Sequence, residues 1–194
     1  MLSRAILIIP AAISAFAAAN AATISPKLPA ISDNCYQISN ADELYGFAAI
    51  VNGTDGFVQD RGACGILSKD IVVNTDVLDD SHNLNKTDGI EFEQWNPIDS
   101  FSGTFDGNGH TISGLYYEDK DEYKYVGIFS TVIATPDKPV IIKNLGILDS
   151  YIEESSSYSG VLIGSIADFD RDYKDSYAQI SNTFVLSTTN YTPA

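Results

Sequence analysis

The sequence predicts an all-β fold: a right-handed single-stranded parallel β-helix (a solenoid) with an N-terminal capping α-helix and an open or truncated C-terminus. Three observations predict it. After Cys64, short runs of β-branched and aromatic residues alternate with Gly, Asn and Asp clusters. The pattern Ile-x-Asn/Gly, then Gly-apolar-apolar, recurs roughly every 30 to 38 residues, a period typical of stacked repeats. One amphipathic segment precedes these runs and suits a helix that covers the first repeat.

Residues 1–21 have the features of a signal peptide. Arg4 precedes an apolar stretch from Ala5 to Ala18, and Ala19-Asn20-Ala21 offers the small-x-small pattern of a cleavage site. The apolar stretch is too short for a comfortable membrane span, although an N-terminal anchor helix is the alternative. We therefore expect an exported protein, extracellular, at the cell surface or periplasmic, with no transmembrane segment in the mature chain.

Residues 22–34 predict an extended leader, and residues 35–64 predict an N-terminal cap. Export places Cys35 and Cys64 in a compartment where disulfides persist, so we expect them to be bridged. Thiols that bind a metal are the alternative, but no His lies near either Cys in the sequence.

One helix is predicted over about residues 40–52. Asn40 and Glu43 have the spacing of a capping box, and Asn52-Gly53 is typical of a helix end. Apolar residues recur at i, i+3, i+4 and i+7, namely Leu44, Phe47, Ala48 and Val51.

Residues 65–194 are predicted to form the repeats. The segment 112–115 (Ile-Ser-Gly-Leu) is echoed by 142–145 (Ile-Lys-Asn-Leu) and by 180–182 (Ile-Ser-Asn). Stacked repeats would share one apolar interior, and Asn144 and Asn182 would stack as a ladder of side-chain amides. A β-sandwich with coincidental similarity between these segments is the alternative.

Charge excludes some classes of partner. The chain contains 26 acidic and 11 basic residues, with a formal net charge of −15. An acidic surface repels phosphate backbones, so nucleic acid is not an expected partner.

The segment Trp95-Asn96-Pro97-Ile98, followed by Phe-Ser-Gly-Thr-Phe-Asp-Gly-Asn-Gly-His at 101–110, resembles the signature of bacterial GLUG-motif proteins. These are exported parallel β-helix proteins, found among surface adhesins and in repeats that accompany immunoglobulin-A peptidases. The resemblance covers about residues 35–185. It implies an adhesin-like protein and supplies no catalytic residues, because the family shares none.

Two polar clusters are candidate sites. Asp106, Asn108 and His110, separated by glycines, are typical of a tight turn, and the alternative is a Ca²⁺ or sugar contact. The acids of the second cluster are spaced as at the start of an EF-hand loop, at Asp168, Asp170 and Asp172. Tyr173 and Gln179 replace the Gly and Glu that such a loop requires. This cluster therefore predicts a solvated acidic loop, with weak Ca²⁺ binding as the alternative and no other cofactor expected.

We expect a non-enzymatic secreted or cell-surface protein, adhesin-like, that presents loops to carbohydrate or to surface proteins. Aromatic rings stack on sugars, and four tyrosines crowd one region, Tyr116, Tyr117, Tyr123 and Tyr125. Packing of these rings in the interior is the alternative. Two other functions stay open: a carbohydrate-active enzyme (a polysaccharide lyase or glycoside hydrolase), which requires suitable groups facing one groove, and an inactive fragment of a longer adhesin.

Overall fold

The computed structural model describes residues 23–118, 125–134, 138–153, 159–167, 177–186 and 189–191. The regular secondary structure of this part of the chain is mostly strand, with one short helix, α1 (Ala41–Asn52). The strands in chain order are β1 (Ala30–Ser32), β2 (Cys35–Ile38), β3 (Cys64–Leu67), β4 (Ile71–Val72), β5 (Thr104–Asp106), β6 (Thr111–Ser113), β7 (Tyr116–Glu118), β8 (Phe129–Ile133), β9 (Val140–Lys143), β10 (Gly146–Leu148), β11 (Tyr151–Glu153), β12 (Ile163–Ala167), β13 (Ala178–Ser181), β14 (Phe184–Leu186) and β15 (Thr189–Tyr191).

The predicted helix is confirmed, with the predicted caps. The Asn40 side chain accepts a hydrogen bond from the Glu43 backbone N–H at 3.0 Å, and Gly53 adopts the left-handed conformation with φ of 70°. The Glu43 carboxylate accepts from the Ser39 backbone N–H at 2.7 Å, one residue earlier than in a standard capping box. Side chains therefore satisfy the backbone N–H groups of Glu43 and Ser39 at the helix start.

The strands form four sheets. The first has six strands in the order β1-β2-β3-β5-β9-β13, and the second has four in the order β14-β10-β6-β4. The third is β15-β11-β7, and the fourth is the pair β12-β8. Strands β1 and β2 pair antiparallel, whereas the other strand pairs of the described residues are parallel.

The prediction of a single right-handed parallel β-helix is wrong. The strands are divided among several small sheets, and the largest is mixed because of the antiparallel pair β1–β2. The six-stranded sheet also contains β1, from the segment predicted as a leader, and β2, from the segment predicted as the cap. The repeats in the sequence indicate which segments resemble one another. They do not determine how the paired strands are grouped into sheets, which depends on the bends between strands.

The predicted ladder of asparagine amides is confirmed. Asn182 Nδ2 donates to Asn144 Oδ1 at 2.9 Å, and these residues are 38 apart in the sequence. Asn144 Nδ2 donates in turn to Asp106 Oδ1, also at 2.9 Å and also across 38 residues. The ladder therefore begins at a carboxylate and joins the turns that follow β5, β9 and β13.

The core lies between the helix and the sheets. Phe47 of α1 packs on Phe105 of β5, with ring centroids 5.5 Å apart, and Phe101 packs on Phe129 of β8 at 5.0 Å. Tyr45 meets the Trp95 ring edge-on at 5.1 Å. The helix residues from 44 to 51 are all buried. The helix is thus part of the main core, which gives it a larger role than covering one end.

The Cys35–Cys64 disulfide is confirmed. It joins the neighbouring parallel strands β2 and β3, with the two Cα atoms 4.6 Å apart. None of the helical structure in the described residues is long and apolar enough to cross a membrane.

Candidate functional site

A groove of about 940 Å³ opens between the C-terminal end of α1, the segment 94–99 and strand β8. The groove is lined by polar and aromatic side chains from segments far apart in the sequence, including Arg61, Gln94, Asn96, Asp99, Tyr117 and Tyr125. Clefts of this volume that combine aromatic rings with a few convergent polar groups are typical of ligand sites. This groove is therefore the candidate functional site.

Asn52, the last residue of α1, holds the wall of the groove in place. Its Nδ2 donates to the Pro97 carbonyl oxygen at 2.9 Å, and its Oδ1 accepts from the Asp99 backbone N–H at 2.8 Å. The amide thus satisfies two backbone groups of one loop, as a backbone strand would. Because α1 is buried in the core, the loop is fixed to a rigid element.

Trp95 fixes the same wall of the groove, the segment 94–99, to the core. Its ring is buried, its Nε1 lies 3.4 Å from the Ile128 carbonyl oxygen, and its backbone N–H donates to the Tyr116 carbonyl oxygen at 2.6 Å. The Ile98 backbone N–H donates to the Ile128 carbonyl oxygen at 2.9 Å. Trp95 and Ile98 are buried, whereas Asn96 between them is exposed. The backbone hydrogen bonds on either side of Asn96 therefore fix the position from which its side chain reaches solvent.

Charges of both signs line the groove. Among the described lining residues Arg61 is the one cation, and Asp99 and Glu118 are the acids. Asp99 is held in place by two hydroxyl groups, since its Oδ1 accepts from Ser130 at 3.1 Å and its Oδ2 from Ser100 at 2.9 Å. The groove therefore offers both hydrogen-bond donors and acceptors at defined positions.

The crowded tyrosines have different environments. Tyr117 is buried, and Tyr125 is half-buried in the groove. Tyr116 stacks on Tyr151 with ring centroids 6.2 Å apart and an interplanar angle of 21°. Burial and the neighbouring Glu118 carboxylate raise the pKa of Tyr116, so its hydroxyl stays protonated at neutral pH. Tyr123 lies outside the described residues.

The first cluster singled out in the sequence, Asp106, Asn108 and His110, forms the turn after β5. Asn108 and Gly109 have φ of 53° and 83°, and a Cβ on Gly107 would collide with the Asn144 carbonyl oxygen. The Asp106 Oδ1 accepts from the Asn108 backbone N–H at 2.8 Å, and its Oδ2 lies 3.2 Å from Lys143 Nζ. Asp106 is thus engaged by groups of the protein itself.

The other two members of the cluster point to different partners. Asn108 Nδ2 donates to the Leu67 carbonyl oxygen at 3.3 Å, and His110 Nδ1 lies 3.3 Å from Asp70 Oδ1. The turn therefore ties β5 to β3 and to the residue before β4. The Ca²⁺ or sugar contact stays a prediction, and these residues lie apart from the lining of the groove.

Two carboxyl groups near this turn have lowered pKa values. Partial burial alone would raise the pKa of Asp106, but hydrogen bonds from Asn144 and from the Asn108 backbone, together with the Lys143 ammonium, hold it below its ordinary value. The Thr111 backbone N–H, which donates to Asp70 at 2.9 Å, lowers the pKa of Asp70. The folded structure therefore stabilises the ionised form of both carboxyl groups more than the unfolded chain does.

The second cluster, Asp168, Asp170 and Asp172, lies outside the described residues. Within the described ranges, no group of three or more His, Cys, Asp or Glu side chains is arranged to hold a metal ion. Weak Ca²⁺ binding by the second cluster stays a prediction.

Sequence reasoning missed most of the groove. Arg61 and Asp99 carry no local motif, and the sequence identifies Asn52 only as part of a helix end. These residues line one groove because α1 packs beside the segment 94–99. Two signals were available. One was the crowd of tyrosines, of which Tyr117 and Tyr125 line the groove. The other was Trp95-Asn96-Pro97, a large aromatic residue beside a polar residue and a proline, which we used only for the family resemblance.

Comparisons with protein-family models, with curated proteins and with solved structures find no match to this chain. The resemblance to GLUG-motif proteins is therefore a prediction that rests on the residues quoted for it.

Proposed function

We propose that this protein is a non-enzymatic, adhesin-like binding protein that is exported and that holds a carbohydrate chain in the groove beside α1. The observation that carries the proposal is the groove itself, about 940 Å³ in volume and lined by Tyr125, Asn96 and Arg61. An open groove of this kind suits an extended ligand, which a closed cavity would not admit.

The lining chemistry supports a sugar ligand. Sugar hydroxyls both donate and accept hydrogen bonds, and Asn96 offers both from one planar amide. Arg61 is exposed and offers donors only, whereas Asp99 accepts. The half-buried Tyr125 offers an aromatic ring on which the apolar face of a sugar can pack. Neither a purely apolar ligand nor a polyphosphate matches this mixture of groups.

Export is supported by the disulfide. A bridge between Cys35 and Cys64 persists in an oxidising compartment, such as the extracellular space or the periplasm, and is rare in the cytosol. The predicted signal peptide, residues 1–21, points the same way and lies outside the described residues. The net charge of −15 keeps the surface soluble and disfavours nucleic acid as a partner.

The contacts of Asp99 suit a residue that binds a ligand. Its two carboxylate oxygens accept hydrogen bonds from the hydroxyl groups of Ser130 and Ser100, so the side chain is held in one orientation. We therefore assign to Asp99 the role of orienting a sugar hydroxyl. A glycoside hydrolase would instead use one carboxyl group of the groove as the general acid.

The test is a glycan array with the full chain, followed by calorimetry on the glycan that binds. We expect the variants Asn96→Ala and Arg61→Ala each to weaken binding by about tenfold or more, because each removes hydrogen bonds to the ligand. Lys69→Ala is the matched control, since Lys69 is exposed and outside the groove. Its affinity should equal that of the unmodified chain.

Three outcomes would contradict the proposal. The first is that no glycan binds, and the second is that the groove variants bind as well as the Lys69→Ala control. The third is turnover of a polysaccharide that Asp99→Asn abolishes, which would favour the carbohydrate-active enzyme. Far-ultraviolet circular dichroism on each variant separates loss of the site from loss of the fold.

A further inference from the structure

The last strands of the described chain leave apolar core positions uncovered. Ile142 is fully buried, but Ile180, its partner in the next strand, is 41% exposed. Ile147 is 1% exposed, but its partner Val185 is 41% exposed. In the small sheet, Val132 is fully buried and its partner Ile166 is 56% exposed. We call the surface formed by Ile166, Ile180, Phe184, Val185 and Leu186 the open face.

The strands that form the open face carry no charged residues. Residues 159–167 and 177–191 contain no Asp, Glu, Lys or Arg, in a chain with 26 acidic and 11 basic residues. Soluble proteins protect exposed strand edges with charged residues, particularly Lys, or with Pro. Neither occurs in these segments. An apolar surface without such protection is typical of an interface.

Strand edges extend the same surface. Strands β12, β13, β14 and β15 are each the outermost strand of their sheet among the described residues. Their backbone groups can therefore pair with a further strand, as in β-augmentation. Asn182 ends the ladder of amides, and it is exposed on the same side.

We infer that the open face binds a second copy of this chain, in a two-fold dimer in which the edge strands of the two copies pair antiparallel. A two-fold axis places the same patch on both copies, so each covers the exposed isoleucine and valine positions of the other. A single peptide strand would pair with one edge and leave the other sheets uncovered.

Charge favours this occupant over an unrelated acidic or basic partner. Two copies that each carry a net charge of −15 repel wherever their acidic surfaces meet. The strands of the open face can meet those of a second copy without bringing like charges together. A basic partner would gain no electrostatic attraction from these strands, because they contain no acid.

The test is sedimentation velocity on the full chain from about 1 to 100 µM, a range over which a specific dimer and its monomer interconvert. We expect a dimer of the unmodified chain and a monomer of the Val185→Lys variant. The lysine would be buried beside its symmetry mate, and we expect dimerisation to weaken at least about thirtyfold. Val185 is already partly exposed in the single chain, so the variant should fold.

Val72→Lys is the matched control. Val72 is 57% exposed on β4, the strand at the opposite edge of the sheet that contains Val185. Its dimer should be unchanged. Hydrogen exchange on the unmodified chain gives a second measurement: the backbone amides of β13 and β14 should exchange more slowly as the concentration rises.

Three results would overturn the inference. One is a monomer throughout the concentration range, and another is a dimer that Val185→Lys leaves intact while the amides of β13 and β14 stay unprotected. The third is growth into open-ended assemblies, since a two-fold contact closes at two copies. None of these results bears on carbohydrate binding, because the groove and the open face share no residue.

Discussion

At the scale of single residues, Asn144 combines two properties that few side chains share. Its backbone has φ of 53°, a left-handed conformation that Asn tolerates better than most residues. Its amide accepts from Asn182 on one side and donates to Asp106 on the other. A stacked turn needs both properties, which explains why the residue recurs at the equivalent position, Asn182, with φ of 51°.

The substitution Asn144→Gly separates these properties. Glycine keeps the left-handed backbone and removes both amide hydrogen bonds, so we expect the free energy of unfolding to fall by about 1 to 3 kcal/mol. Asn108→Gly is the matched control, with the same φ of 53° and a single side-chain hydrogen bond at 3.3 Å. Urea unfolding measures both. Equal losses in the two variants would contradict a special role for the ladder.

The lowered pKa of Asp106 predicts loss of stability in acid. A carboxyl group whose pKa is lower in the folded state stabilises the fold above its unfolded pKa, about 3.9, and this stabilisation is lost as the pH falls through the folded pKa. Urea unfolding should therefore show a falling free energy below about pH 4. In the Asp106→Asn variant the fall should be shallower. An identical pH dependence would show that Asp106 does not contribute.

At the scale of elements, the disulfide joins β2 to β3, at the start of the parallel part of the six-stranded sheet. Cys35 and Cys64 are separated by 29 residues, and the segment between them includes all of α1. In the unfolded chain the bond therefore constrains the segment that forms α1. In the folded sheet β1 pairs with the edge of β2 that faces away from β3.

The double variant Cys35→Ala/Cys64→Ala should lose about 3 kcal/mol of unfolding free energy, since it frees a loop of this length in the unfolded state. Thermal unfolding followed by circular dichroism measures the loss. Reduction of the unmodified chain with dithiothreitol is the control, and it should lower the melting temperature to that of the double variant. A double variant as stable as the oxidised chain would contradict the expectation.

Elements also differ in how far the sequence predicts them. The limits of α1 follow from Asn40 and Gly53, because caps act on backbone groups within four residues. The strand β1, by contrast, lies in a segment that looked like a leader, since three residues with no apolar alternation give no periodic signal. Its pairing with β2 supplies the hydrogen bonds that define it.

At the scale of the whole molecule, the net charge of −15 opposes compaction. Raising the NaCl concentration from about 0.01 to 0.15 M shortens the Debye length from about 30 to 8 Å. We therefore expect the melting temperature at pH 7 to rise as salt is added. KCl at equal ionic strength is the control and should act alike. A markedly larger rise with CaCl₂ at that ionic strength would indicate a specific Ca²⁺ site instead of screening.

The sequence by itself determined the helix with its caps, the disulfide, and the pairing of Asn144 with Asn182. The helix depends on neighbouring residues, the disulfide on a chain with two cysteines, and the asparagine pair on one repeated spacing. All three can be read along the chain. Only the tertiary structure decided the grouping of the strands into four sheets and the position of the groove. Asn52, Arg61 and Asp99 line one groove because a buried helix packs beside a loop that is distant in the sequence. That packing is driven by burial of apolar surface, which leaves no regular spacing in the sequence from which the contact could be predicted.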